Sequence, residues 1–222
     1  AVLTTLGIII GIVSVTGMAT VVNGIEQGFE NDISSLGTDV LYIEKWPWAR
    51  GPNTKWWGYI NRPNLTENLA DALNERSQST QQATAVVSTG RSLKSQTQSI
   101  SSASIKGVQP NYILVHQVDI EEGYFFSDFD NDGTRNVTVI GATIAEELFP
   151  FGSALGKDLK IDGAKYRVVG VLVKEGQGSE RANSGDSEVH IPFKSFKKQF
   201  GTRLRDVSIQ TKILPGILLA DA

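Results

Sequence analysis

The sequence predicts an α+β fold: an apolar N-terminal helix followed by a domain of mixed sheets with few helices. Three observations predict it. Ala1 to Ile25, AVLTTLGIIIGIVSVTGMATVVNGI, carries no charged side chain before Glu26. The rest of the chain is polar, mixed in charge and full of Gly, Ser and turn residues. Short β-rich runs alternate there with short helical ones, and Asp162-Gly163 marks a tight hairpin.

The N-terminal run has the length of a membrane span. A bilayer core of about 30 Å needs about 20 apolar residues as a helix, and Val2 to Val22 fits. The apolar part of a secretory signal is shorter, about 7–15 residues, and follows basic residues that this run lacks. A soluble helix so uniformly apolar would need neighbours on every side. Gly7 and Gly11 form a GxxxG spacing, which lets another helix approach closely. Asn23 to Leu36 keeps helical spacing at Ile25, Phe29, Ile33 and Leu36, so the helix is expected to continue as an amphipathic stalk that Gly37 ends.

Asp39 to Glu44 reads as a strand, and Lys45 to Asn64 as a loop holding all four Trp: Trp46, Trp48, Trp56 and Trp57. Thr66 to Glu75 reads as a helix capped by Thr66, with Leu69, Ala72 and Leu73 on one face. Ala83 to Ser88 is a strand, and Ser92 to Lys106 a Ser/Gln-rich hairpin. Ser104 to Val108 ends in a turn at Gln109-Pro110-Asn111-Tyr112. Val137 to Ile140 is a strand before a helix from Ala142 to Phe149. Leu159 to Ile161 and Tyr166 to Val173 flank Asp162-Gly163, and Gly176 to Gly185 is a polar loop. Glu188 to Phe193, Ser195 to Phe200 and Val207 to Gln210 close the chain as strand, helix and strand.

Composition removes several functions. A net charge of −3 over 222 residues shows no basic field, so nucleic acid is not an expected partner. There is no Cys, and the two His, His116 and His190, lack ligand spacing. Asp128, Asp130, Asp132 and Gly133 match the first half of a calcium loop. The bidentate Glu that should close it is replaced by Val139, so an acidic surface turn is expected. Gly156-Lys157 fails as a phosphate loop, with Phe151 where the first Gly belongs and Asp158 where Ser or Thr belongs. No G-x-S-x-G occurs. No catalytic residue, cofactor-binding residue or metal ligand is therefore expected. The Trp-rich loop has two readings. It is a contact for a partner, as surface Trp often is, or a local plug over the domain.

Two stretches carry a family resemblance. TTLGIIIGIVSV (Thr4–Val15) followed by ISSLGTDVLYIE (Ile33–Glu44) resembles the start of MacB/FtsX-type ABC transporter permeases. VTVIGATIAEELFPFGSALGKDLKIDGAKYRVVGVLVKEG (Val137–Gly176) and VHIPFKSFKKQFG (Val189–Gly201) resemble the core and the close of the MacB-like periplasmic domain.

The resemblance implies four membrane helices, with a large periplasmic domain between the first and second. It implies a membrane helix and stalk over 1–37 and a Porter-like βαβ subdomain over 38–103 and 187–212. A mostly-β Sabre-like insertion would cover 104–186, and a truncated segment 213–222. The chain would sit in a bacterial inner membrane with its domain in the periplasm, and would use no cofactor. Its implied partners are a cytoplasmic ABC ATPase, a second permease subunit in a dimer, and an adaptor or outer-membrane component. Its implied work is to convert ATP hydrolysis into periplasmic movement that extrudes a peptide, antibiotic or lipoprotein. Two rival expectations remain: a relative that releases lipoproteins or regulates cell-wall hydrolases, and a singly anchored extracytoplasmic binding module.

Overall fold

The computed structural model describes residues 7, 11, 14–18, 40–46, 57–174, 185–202 and 205–214. The chain divides into two units, Ala1–Thr38 and Asp39–Ala222. In the first unit, residues 7, 11 and 14–18 are helical. A side chain added at Gly7 or Gly11 would meet nothing within 4 Å in this chain. No helix among the described residues is long and apolar enough to cross a membrane. Most of the expected span, and the stalk positions Ile25, Phe29, Ile33 and Leu36, lie outside the described residues.

Among the described residues, the second unit contains a nine-stranded mixed sheet with helices packed on it. Its strands are β1 (Val40–Ile43), β2 (Thr80–Lys94), β3 (Ser99–Val108), β4 (Ile120–Gly123), β5 (Val137–Ile140), β6 (Asp158–Ile161), β7 (Ala164–Leu172), β8 (Glu188–Pro192) and β9 (Val207–Ile213). They lie in the order β1-β9-β2-β3-β8-β5-β7-β4, and β6 pairs with both β2 and β7. The helices are α1 (Trp57–Ile60), α2 (Glu67–Arg76), α3 (Tyr112–His116), α4 (Asp128–Asp132), α5 (Ala142–Leu148) and α6 (Phe193–Phe200).

Alternation decides which side of each strand is buried. In β9, Val207, Ile209, Thr211 and Ile213 are buried, while Ser208, Gln210 and Lys212 are half-exposed. Ala83, Ala85 and Val87 of β2, Ile105 of β3 and Val189 and Ile191 of β8 extend the same apolar face. Helices α2 and α6 cover it with Ala70, Leu73, Phe193 and Phe196. Each fully buried Phe contributes about 2–3 kcal/mol by leaving water. A smaller apolar cluster, including Val86, Val108, Tyr112, Phe126 and Val139, lies on the other face.

Several local expectations are corrected. Helix α2 buries Ala70, not Leu69, which is 37% exposed. Thr66 holds the extended backbone of a cap but makes no side-chain capping bond. Within the expected loop 45–64, Trp57–Ile60 forms one helical turn. The segment after the Gln109–Tyr112 turn is helix α3, because Val115 and Tyr112 bury against the sheet. The acidic turn is helix α4, closed by a capping box. Ser127 donates from both N and Oγ to Oδ2 of Asp130, at 3.0 and 2.9 Å. The expected polar loop Gly176–Gly185 lies almost wholly outside the described residues.

Candidate functional site

Strand β8 is buried on both faces. Val189 and Ile191 enter the main core, so alternation sends Glu188 and His190 to the opposite face. Parallel pairing with β3 sets Lys106 beside His190 and Ser104 beside Glu188. Lys106 Nζ forms an ion pair with Glu188 Oε1 at 2.7 Å. His190 Nε2 lies 3.4 Å from Glu188 Oε2. Three titratable groups thus meet where two of them are almost fully buried.

Burial works against the charge of Glu188. The nearby His190 ring and the ammonium of Lys106 outweigh it, and its pKa falls below the ordinary carboxylate value. Burial dominates at His190 and lowers its pKa despite the neighbouring carboxylate, so the ring is neutral at pH 7. Neither ring nitrogen of His190 makes a hydrogen bond of good geometry among the described residues. Aromatic rings enclose it, with Tyr112 at 5.0 Å and Phe125 at 6.2 Å between centroids.

Lys106 is also a wall of a groove. A cavity of about 430 Å³ is lined by Trp46, Ser88, Lys106, Asp206, Ser208 and Gln210, among others. Ser88 faces Lys106 across β2 and β3, and Ser208 faces Val86 across β9 and β2. Trp46 lines the groove and donates from Nε1 to Oδ1 of Asp206 at 3.0 Å. Its ring also meets Tyr59 at 6.5 Å and the Lys45 ammonium at 5.7 Å. The lining supplies hydrogen-bond donors and acceptors around one indole. That suits it to hold a polar protein or ligand surface.

The expected Trp contacts are thus partly placed. Trp46 lines the groove, Trp57 is 58% exposed on α1, and Trp48 and Trp56 lie outside the described residues. Asp128, Asp130 and Asp132 do not converge. Asp130 is held by Ser127 and by Arg135 at 3.3 Å, and Asp132 by Lys194 at 2.7 Å. Among the described residues, no three His, Asp or Glu are grouped so as to hold a metal ion. The Lys106–Glu188–His190 cluster is not legible in the sequence because Lys106 stands 82 residues from Glu188 and 84 from His190. The one signal available was a Glu and a His alternating with apolar residues in an otherwise buried strand.

A mixed sheet with helices packed on it and a polar groove is a fold shared with two solved extracytoplasmic domains. The periplasmic region of MacB from Actinobacillus actinomycetemcomitans superimposes with a TM-score of 0.66 at 21% identity, over 85% of this chain and 80% of that one. The extracellular domain of the noncanonic ABC-type transporter YknZ from Gram-positive bacteria gives 0.59 at 24%, over 77% and 83%.

The chain belongs to the MacB-like periplasmic core domain family, whose model matches residues 1–218. It is 30% identical over 209 residues to the macrolide export ATP-binding/permease protein MacB of Marinobacter nauticus, covering 93% of this chain and 31% of that protein. It is 32% identical over 217 residues to the ABC transporter permease YknZ of Bacillus subtilis, covering 96% and 52%. The chain therefore spans about a third to a half of these two relatives.

Proposed function

We propose that this chain is the first membrane helix, stalk and extracytoplasmic domain of an ABC transporter permease subunit in a bacterial inner membrane. Its domain turns ATP hydrolysis on the cytoplasmic side into movement outside the membrane, and that movement extrudes a peptide, antibiotic or lipoprotein. The observation that carries this reading is the family match over residues 1–218, joined to relatives named as ABC permeases. The domain contributes no chemistry of its own. The sequence lacks a phosphate loop, so an ATPase on another chain or domain supplies the energy.

On this reading two permease subunits pair, with Gly7 and Gly11 packing helices in the membrane. Ile25, Phe29, Ile33 and Leu36 face a neighbouring stalk. The Trp46, Trp48, Trp56 and Trp57 loop touches a partner or the facing subunit, an adaptor or outer-membrane component among them. The Porter-like part comprises 38–103 and 187–212, and the Sabre-like part 104–186. The first cut falls inside β3 and the second just before β8, so the β3–β8 ladder would join the parts. A stalk that is one continuous helix rises about 1.5 Å per residue and carries displacement without bending.

Paired cysteines near Ile33 in the membrane-embedded permease, with its ATPase, test this. Oxidation abolishes ATP-driven extrusion and reduction restores it. Full activity in a demonstrably cross-linked protein sinks the lever.

A further inference from the structure

The hairpin of β6 and β7 carries an unusual column of charge. Lys94 of β2 lies opposite Lys160 of β6, and Lys160 lies opposite Lys165 of β7. Residues opposite one another share a face of the sheet, so three ammonium groups cross three adjacent strands side by side. Arg167 follows on that face, opposite Asp158. The other face of the same strands holds Leu93, Leu159, Ile161 and Tyr166 in the core, which fixes the register. Like charges directly opposite destabilise a sheet. Asp158 bonds Lys165 at 2.9 Å, and among the described residues Lys94 and Lys160 have no ion-pair partner. A local cationic column on a chain of net charge −3 is a cost to folding that a bound anion would offset.

Beside the column opens a cavity of about 440 Å³. Its lining includes Leu148, Phe149 and Phe151 together with Lys157, Arg167 and Asp158, the last already paired with Lys165. Phe151 is 89% exposed. The Lys157 ammonium stands 5.2 Å from the Phe149 ring centroid. An exposed aromatic in a concave opening that two cations help to line is the arrangement of an anchor pocket with steering charges beside it.

We infer that this surface docks an acidic segment of a partner protein. Carboxylates of the segment lie along Lys94, Lys160 and Arg167, and one apolar side chain enters the cavity against Phe151 and Leu148. The concavity favours a polypeptide over a membrane of anionic lipid, whose plane would reach the ammonium groups but not fill the pocket. The inference stands apart from the Trp46 groove and from the permease reading.

The test uses the full chain in phosphatidylcholine nanodiscs. The probe is a fluorescent Glu/Gly peptide carrying a single Phe, read by anisotropy. Phosphatidylglycerol vesicles, read by co-flotation, probe the membrane alternative. The Glu peptide binds, its Gln counterpart does not, and added salt weakens binding. Lys94→Thr with Lys160→Thr weakens binding about tenfold, and Phe151→Ala weakens it while leaving the salt dependence in place. The Lys pair of substitutions also raises the melting temperature, because like charges are separated, so lost binding is not lost folding. Unchanged peptide affinity in the Lys variant overturns the inference. So does recruitment to phosphatidylglycerol vesicles without peptide binding.

Discussion

Lys106 Nζ lies 2.7 Å from Oε1 of Glu188, a side chain only 3% exposed. A buried carboxylate left without its cation is strongly destabilising, by about 3–5 kcal/mol when both partners are deep. Lys106 is 24% exposed, so water screens part of that loss. Lys106→Met is expected to cost about 2 kcal/mol, read as a lower urea midpoint at unchanged slope. Adding Glu188→Leu removes the stranded charge and recovers part of the loss. A double variant weaker than Lys106→Met would show that the pair is not the coupled unit.

Acid should unfold the domain from an unusually high pH. Burial holds the pKa of His190 below its ordinary 6.5, so the unfolded chain takes up this proton first. Stability therefore falls as pH drops below about 6.5. Burial opposes the charge of Glu188, but His190 and Lys106 prevail and lower its pKa below 4.5. The stability it contributes is complete above that ordinary value and is lost as pH falls through the folded one. The urea midpoint should be level near neutrality and decline in both ranges on acidification. His190→Leu should remove the upper decline and also alter the lower one, because it takes away one of the two groups that hold the pKa of Glu188 down.

Two glycines should respond differently to Ala. Asp162 and Gly163 both have positive φ, 49° and 86°, as a two-residue hairpin turn requires. A Cβ at Gly163 meets nothing within 4 Å, so Gly163→Ala costs only the conformational strain, about 1 kcal/mol. A Cβ at Gly107 would lie 2.5 Å from Cβ of Phe196, which is fully buried. Gly107→Ala is expected to cost more, up to about 3 kcal/mol, through overpacking. Thermal melts of the two variants give the comparison, and equal losses would contradict it.

Millimolar calcium should leave the melting temperature unchanged, because a ligand stabilises only what it binds. Burial opposes ionisation of Asp130, but Ser127 N and Oγ and Arg135 overcome it and lower its pKa. That carboxylate is already committed to the capping box. Ser127→Ala should cost about 1 kcal/mol by removing one of its bonds. A clear calcium-dependent rise would restore the calcium-loop reading.

Trp57→Ala should change stability by less than about 1 kcal/mol, since the ring is largely exposed. Trp46→Ala should lose more, because it breaks the bond to Asp206 and the packing on Tyr59. Equilibrium unfolding separates them. A large loss at Trp57 would favour the plug over the partner contact.

Sequence alone determined the elements whose signals are local. Asp162-Gly163 fixed the β6–β7 hairpin because few residue pairs accept two positive φ angles. Strands β5, β8 and β9 and helices α5 and α6 were legible because their apolar spacing is intrinsic to a few turns or pleats. The stretches Val137–Gly176 and Val189–Gly201 carried the family. Tertiary structure decided what depends on register between distant strands. Helix α3 and strand β4 are too short to announce themselves and form because neighbours bury or pair with them. Trp46 reaches Asp206 across 160 residues. Lys94, Lys160 and Lys165 read singly as ordinary solvated cations, and only the pairing of β2, β6 and β7 sets them in a column. Glu188 and His190 look polar in sequence, yet β3 and β5 flank β8 on either side and bury both. A side chain's own chemistry is local, but its surroundings are set by which strand lies next to it.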